Sequence, residues 1–150
     1  MTAQAYAGGT FYGASVAFTA ATTLTGNIKS VKWSGLSRKE VDTTHLLSTN
    51  GMMTYIPGDM IEGGDVEIEA QYSTQLDYQA LLIANRCDTV TITFPKRGTT
   101  CGAALATTAA SIAFSVAILS AEPDFSNDNL LTIKFKLKIS GSITTVAAVV

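Results

Sequence analysis

The sequence predicts a single, mainly β domain: a β-sandwich or barrel with one flanking α-helix. Residues 65–72, 88–94 and 131–140 alternate apolar and polar side chains with the period of two that a half-buried strand requires. Only residues 73–86 carry apolar side chains at helical spacing. A chain of 150 residues is the size of one domain. One helix set among several strands is expected to pack against one side of a sheet.

The remaining elements have weaker signals. We expect further strands at residues 10–19, with Gly13 as a bulge, and at residues 27–34 and 111–120. Turns are expected at residues 20–26 and 122–129, and a loop of small residues at about 95–110. Residues 1–9 are predicted to form an N-terminal arm that is loose or ordered by a partner.

The helix at residues 73–86 is expected to begin with a capping box. Thr74 would cap the first turn, and Asp77 takes the place that Glu or Gln usually has in this motif. Arg86 would lie in the last turn, where a cation suits the helix dipole. The apolar stripe expected to face the core consists of Leu76, Ala80, Ile83, Ala84 and Cys87.

A long segment, residues 38–65, interrupts the strand pattern. Its turn pairs Asn50-Gly51, Pro57-Gly58 and Gly63-Gly64 predict a long loop between strands, at about residues 39–64. Ordinary connections have about 4–6 residues, and this loop is too apolar for a disordered linker. We therefore predict an arm that packs on a neighbouring subunit. The candidate intersubunit residues are Val41, Asp42, His45, Leu46, Leu47, Met52, Met53, Tyr55, Ile56, Pro57 and Asp59.

The charge content also indicates self-assembly. Charged residues make up 15% of the chain, against about 25% in typical domains. Such a low charge content is expected of a subunit whose surface is covered by its neighbours. The alternative is a monomeric β domain with few charges. A net charge of −2 gives no basic footprint for nucleic acid or anionic lipid. Residues 40–77 contain eight acids and no Lys or Arg, and such separation of charge suits head-to-tail association.

Three acids on one predicted strand, Asp65, Glu67 and Glu69, admit three interpretations. They form a solvated strand face, or they face a water-filled lumen shared with a polyanion, or they pair with lysines of another strand or subunit. A calcium site is disfavoured, because carboxylates at i and i+2 of a strand lie roughly 7 Å apart. The lysines available for pairing are Lys134, Lys136 and Lys138.

No arrangement of residues indicates catalysis. His45 is the only histidine, so metal clusters built on several histidines are excluded, and it lies in the apolar arm rather than beside a nucleophile elbow. The glycine pairs Gly8-Gly9 and Gly63-Gly64 match neither the P-loop fingerprint nor the dinucleotide-binding fingerprint, the two glycine-rich motifs that bind phosphate. We predict no enzyme activity, metal or cofactor. Cys87 and Cys101 are expected to be free thiols, with a disulfide between them as the alternative.

A membrane span is not expected. Residues 98–121 carry no charge, but they are rich in Thr, Ser and Gly, lack flanking Trp or Tyr, and alternate from Ile112 onward as a strand does. The N-terminus has no basic region followed by an apolar run, so no signal peptide is expected either.

The order of motifs resembles a known family. Over about residues 10–145 the spacing is similar to that of the major tail-tube proteins of long-tailed, siphovirus-type bacteriophages and gene-transfer-agent particles. The matching blocks are Trp33-Ser34-Gly35, then Val41-Asp42-Thr43-Thr44-His45-Leu46-Leu47-Ser48, Ile56-Pro57-Gly58-Asp59, Gly63-Gly64-Asp65, an alternating strand, a short helix, and a final strand ending in Gly141-Ser142-Ile143-Thr144.

The resemblance implies a structural virion protein, assembled in the bacterial cytoplasm, whose hexameric rings stack into a hollow tail tube. The loop at about residues 39–64 would reach the adjacent subunit or ring, and DNA would pass through the lumen without specific binding. Implied partners are further copies of the chain and the tape-measure, tail-terminator and distal tail proteins. The alternatives are a tube protein of a contractile injection or secretion system and, in a different class, a β-sandwich binding or adhesion module.

Overall fold

The computed structural model describes residues 13–24, 27–96, 108–147 and 149. These residues form eight strands, one α-helix and two 3-10 helices, at Thr22–Leu24 and Thr49–Gly51. The helix, α1, spans Tyr78–Ala84. The strands are β1 (Ser15–Phe18), β2 (Ile28–Trp33), β3 (Ser37–Asp42), β4 (Tyr55–Glu62), β5 (Asp65–Gln71), β6 (Cys87–Thr93), β7 (Ser111–Asp124) and β8 (Thr132–Val146).

Six strands form one antiparallel sheet in the order β1-β6-β7-β8-β5-β2, and β3 and β4 form a separate two-stranded sheet. The central strands β7 and β8 are the longest, with 14 and 15 residues. Their pairing shifts register between Phe114 and Val116 and again between Ile118 and Ser120. Such bulges bend a strand, and the sheet curls into a half-barrel. The predicted fold class, mainly β with one flanking helix, is confirmed.

The core lies inside the curl and follows the alternation predicted for β5, β6 and β8. Inward side chains on these strands are buried, whereas their neighbours face outward. Trp33 of β2 packs against Phe114 of β7, with ring centroids 5.1 Å apart. The buried apolar residues of the six-stranded sheet are Val16, Phe18, Val66, Ile68, Ala70, Val90, Ile92, Phe114, Val116, Ile133, Phe135, Leu137 and Ile139.

The helix is shorter than predicted, and its predicted stripe is wrong. Asp77, rather than Thr74, is the cap, and its Oδ1 accepts a hydrogen bond of 3.2 Å from the Ala80 N–H. The helix therefore begins five residues later than residue 73, and a different face turns inward. Tyr78 and Leu81 pack against the core, whereas Ile83 is 71% exposed. Arg86 lies beyond the end of the helix, and the stripe residue Cys87 begins β6.

Several boundaries also differ from the sequence prediction. β7 and β8 extend past residues 120 and 140, because each is the other's partner along most of its length. The predicted turn at residues 122–129 shrinks accordingly to the connection that follows Asp124. Gly13 precedes β1 at a φ of +86° instead of forming a bulge within it. The N-terminal arm, residues 10–12 and most of the loop at 95–110 lie outside the described residues.

One buried carboxylate ties the sheet to the turn that follows β1. Asp88 lies in the inward phase of β6. Its side chain accepts hydrogen bonds from the backbone N–H groups of Ala20 at 2.8 Å, Ala21 at 2.9 Å and Thr89 at 2.7 Å. A buried acid needs such partners, so Asp88 has a structural role that the sequence did not reveal.

Candidate subunit interface and channel surface

The predicted intersubunit loop is a β-hairpin rather than an irregular loop. β3 and β4 pair in antiparallel register, with Val41 opposite Ile56 and a register shift between Arg38 and Glu40. Pro57-Gly58 lies within β4 at this shift, not in a turn as predicted. A Cβ at Gly58 would lie 2.8 Å from the Lys39 carbonyl oxygen, so glycine permits the close approach of the two strands.

The hairpin ends in a tip, residues 43–54, whose own residues and Asp42 form a set of local hydrogen bonds. The Asp42 Oδ1 accepts from the Thr44 N–H at 2.8 Å, and the Thr44 Oγ1 accepts from the Thr54 N–H at 2.8 Å. Hydrogen bonds from the Thr44 hydroxyl and backbone lower the pKa of Asp42. The His45 Nδ1 accepts from the Leu47 N–H at 3.2 Å. Asn50 and Gly51 have positive φ, as the predicted turn requires. The tip is thus ordered locally by polar groups rather than by burial of its apolar side chains.

Those apolar side chains are exposed. Leu46 is 104% exposed and Leu47 is 87% exposed. Neither strand of the hairpin pairs with any other described strand, so both hairpin edges are open. Nearly all residues of β3 and β4 are also exposed, so neither face of the hairpin is covered in the described part of the chain. The other exposed large apolar residues of the hairpin and its tip are Val41, Met52, Met53, Tyr55, Ile56, Met60 and Ile61. An exposed apolar surface of this extent is typical of an interaction site.

A pair of glycines fixes the root of the hairpin on the half-barrel. Trp33 Nε1 donates to the Gly63 carbonyl at 2.7 Å, and the Asp65 N–H donates to Ser34 Oγ at 2.8 Å. Gly64 has a φ of +79°, and a Cβ there would meet the Ser34 hydroxyl and lie 2.6 Å from the Gly35 carbonyl oxygen. This packing leaves room only for glycine, and it sets the direction in which the hairpin leaves the sheet.

The outward face of one half of the sheet carries alternating columns of charge. Each acid of β5 lies directly opposite a lysine of β8. β2, which pairs with the other edge of β5, contributes lysines, and β7, which pairs with the other edge of β8, contributes acids. We call this surface the charge ladder. It consists of Lys29 and Lys32 of β2, Asp65, Glu67 and Glu69 of β5, Lys134, Lys136 and Lys138 of β8, and Glu122 and Asp124 of β7. Its five lysines and five acids balance.

Within the charge ladder, ion pairs run between neighbouring columns. The hydrogen bond and the attraction of Glu122 raise the pKa of Lys136. These side chains are partly exposed, so water screens the pairs and each contributes little to stability. The pairs are Lys136–Glu122 at 3.0 Å, Lys29–Glu69 at 3.6 Å and Lys138–Asp65 at 3.8 Å. The register thus produces cross-strand pairing of the β5 acids, and this pairing is compatible with either a solvated or a lumen-facing surface.

A groove lies beside α1, and no pattern in the sequence indicates it, because the residues that line the groove come from distant parts of the chain. Its volume is about 490 Å³, and its walls are mostly apolar. Tyr72 after β5, Ile133 in β8 and Pro123 in β7 form one side, and Leu82 and Ile83 of α1 form the other. Asp77 is its single charged lining residue, and that carboxylate caps the helix.

In residues 13–24, 27–96, 108–147 and 149, no group of three or more His, Cys, Asp or Glu side chains is placed to hold a metal ion. Across the same ranges, no helix is long and apolar enough to cross a membrane. Cys87 is an exposed free thiol, and Cys101 lies outside the described residues.

Comparison with known proteins identifies the fold. No family model and no curated protein matches the chain by sequence. A chain in the tail of a gene transfer agent particle with C6 symmetry is 12% identical with a TM-score of 0.58, over 81% of this chain and 84% of that one. A chain in the sheath–tube complex of the extracellular contractile injection system PVC is 12% identical with a TM-score of 0.65, over 92% and 90%.

A third similar structure is the tube-terminating cap of the anti-feeding prophage, 12% identical with a TM-score of 0.64 over 99% of this chain and 96% of that one. This chain, a curled β half-barrel with a hairpin and one flanking helix, therefore shares its fold with all three structures. More particularly, the chain has the fold of phage-like tail-tube proteins.

Proposed function

We propose that this chain is the tail-tube subunit of a phage or gene-transfer-agent particle, and that its copies form rings that stack into a hollow tube. The observation that carries the proposal is the hairpin: on a tail-tube fold, it exposes an ordered and apolar tip that its own core does not use. A second copy of the chain is the partner that such a surface fits. Head-to-tail contacts of this kind continue indefinitely and give a filament.

Within a ring, we propose that neighbours pair along their sheet edges. β1 and β2 are the edge strands of the six-stranded sheet. Unpaired edges favour association, and closing a barrel from several subunits removes them. A sixfold ring is supported by the C6 symmetry of the similar gene-transfer-agent tail.

We place the charge ladder, including Asp65, Glu67 and Glu69, on the channel side of the ring. Its lysines are matched by acids, so it offers phosphate no excess of positive charge and DNA passes without specific binding.

Further partners in this proposal are the tape-measure, tail-terminator and distal tail proteins. The protein has a structural rather than a catalytic role, and it reaches the virion tail after assembly in the bacterial cytoplasm.

The tube of a contractile injection system is the second candidate. The likeness to chains of the PVC and anti-feeding prophage particles favours it, with TM-scores of 0.65 and 0.64. The two candidates differ in the outer surface of the tube, which a contractile sheath would cover. Binding of a sheath protein to assembled tubes would favour this second candidate, and tubes that remain bare in intact particles would favour the first.

Electron microscopy of the purified protein tests the main proposal. We expect hollow tubes or stacked sixfold rings at high protein concentration, because hairpin and sheet edges are both open in the single subunit. Sedimentation at the same concentrations gives the mass of the assemblies. A strict monomer at every concentration, without rings or tubes, contradicts the proposal.

The channel assignment is tested by changing the balance of the charge ladder. Particles built from E67Q/E69Q subunits should assemble but deliver DNA about tenfold less efficiently, because unmatched lysines now bind phosphate. The matched K134Q/K136Q subunits leave the acids in excess and should deliver normally. DNA delivery at equal particle numbers is the measurement, and equal delivery by both variants would contradict the placement of this surface in the channel.

A further inference from the structure

The hairpin and the groove lie at opposite ends of the same strand. The root of the hairpin, Gly63-Gly64, directly precedes β5, and Tyr72 in the wall of the groove directly follows it. The seven residues of β5 span about 23 Å at the usual rise per residue of an antiparallel strand. The half-barrel therefore carries a protrusion at one end of β5 and a recess at the other.

The two surfaces match chemically. Residues 43–58, which include the tip, contain no Asp, Glu, Lys or Arg, and the single charged residue that lines the groove is occupied as a helix cap. Exposed apolar residues surround the groove: Ile83 is 71% exposed, and Phe125 is 61% exposed with its ring packed edge-on against Tyr72. An uncharged apolar tip suits such a groove, because neither surface must desolvate an unpaired charge.

We infer that the groove beside α1 receives the hairpin tip of a second copy of this chain, with Leu46 and Leu47 entering between α1 and the end of β7. This inference rests on the proposed tube, and it names the surface on which the hairpin of one subunit docks. The contact is heterologous: tip and groove are different surfaces at different ends of each copy, so a docked pair still leaves one tip and one groove free. Growth then continues along the direction of the strands.

Cross-linking between two single-cysteine subunits tests the contact. Both carry C87S/C101S, one with Leu47→Cys in the tip and the other with Ile83→Cys in the groove. When they are mixed, allowed to assemble and mildly oxidised, we expect a disulfide-linked dimer that neither subunit forms alone. The matched control replaces Ile83→Cys with Phe94→Cys, another exposed apolar position at the far end of β6, and should give no dimer.

The outcomes separate the inference from the proposal on which it rests. Tubes visible by electron microscopy without a Leu47–Ile83 cross-link, or with an equal cross-link to position 94, overturn the docking site and leave the tube intact. A wild-type protein that never forms tubes overturns both. As a second measurement, Ile83→Asp should raise the concentration needed for tube growth about tenfold or more, without a change in thermal stability because the side chain is exposed. Unchanged growth of this variant also overturns the docking site.

Discussion

Replacing residues 44–53 by Asn-Gly should abolish tube growth and leave the half-barrel folded. Thr43 and Thr54 already face each other, with a hydrogen bond of 2.8 Å from the Thr43 N–H to the Thr54 carbonyl, so a two-residue turn can close the shortened hairpin. The replacement removes Leu46, Leu47 and the neighbouring methionines, whose apolar surface is exposed in the single subunit. Sedimentation and electron microscopy measure growth, and circular dichroism measures the fold.

Stability is the internal control for this truncation. Because every residue of the tip except Ser48 is exposed, the free energy of unfolding should change by no more than about 1 kcal/mol. A double substitution that keeps the hairpin length, L46D/L47D, should block growth to the same extent through charge alone. Tubes of normal length from either variant would show that the hairpin tip takes no part in assembly.

The second large effect is expected at the root of the hairpin, where Gly64→Ala should lower the free energy of unfolding by about 2–4 kcal/mol. Two causes combine. An alanine at a φ of +79° is strained, and its Cβ would meet the Ser34 hydroxyl and the Gly35 carbonyl. Relief of the overlap must move the hairpin relative to β5, so tube growth should fall together with stability. Chemical denaturation gives the first quantity, and sedimentation the second.

Gly35 provides the matched control, because it lies at the same root with a φ of +88° and has no atom within 4 Å of a built Cβ. Gly35→Ala should therefore show the backbone strain alone, about 1–2 kcal/mol. The difference between the two variants isolates the contact at Gly64. Equal losses of unfolding free energy in both variants would show that the packing around Gly64 at the root of the hairpin does not contribute to stability.

The sequence predicted best those strands that bury one face. β5, β6 and β8 alternate apolar and polar residues because every second side chain enters the core. This alternation can be recognised in the sequence alone. The hairpin strands bury neither face in the single subunit. They consequently lack the alternation. Pro57-Gly58, which by its sequence predicts a turn, is part of a bulge in β4. The apolar side chains of the segment are exposed in the single subunit, and their packing on a neighbouring subunit stays a prediction.

Features that depend on register or on distant residues could not be predicted. One strand shows that Asp65, Glu67 and Glu69 share a face, but only the pairing of β5 with β8 shows which lysine each of them meets. The groove is lined by residues in or beside β5, β7, β8 and α1, so no single segment of the sequence indicates it. The helix illustrates competition between local signals: Thr74 and Asp77 both suit a cap, and the structure uses Asp77.

The balance of the charge ladder has a consequence for whatever travels past it. A wall of one sign would gather counterions, and transport along it would vary with ionic strength. A wall in which five lysines alternate with five acids has a field that falls off faster with distance, since the charges of neighbouring columns cancel. If this surface lines the channel, it neither binds nor repels a charged polymer that moves along it. The width of the channel, rather than its charge, then determines which molecules can pass.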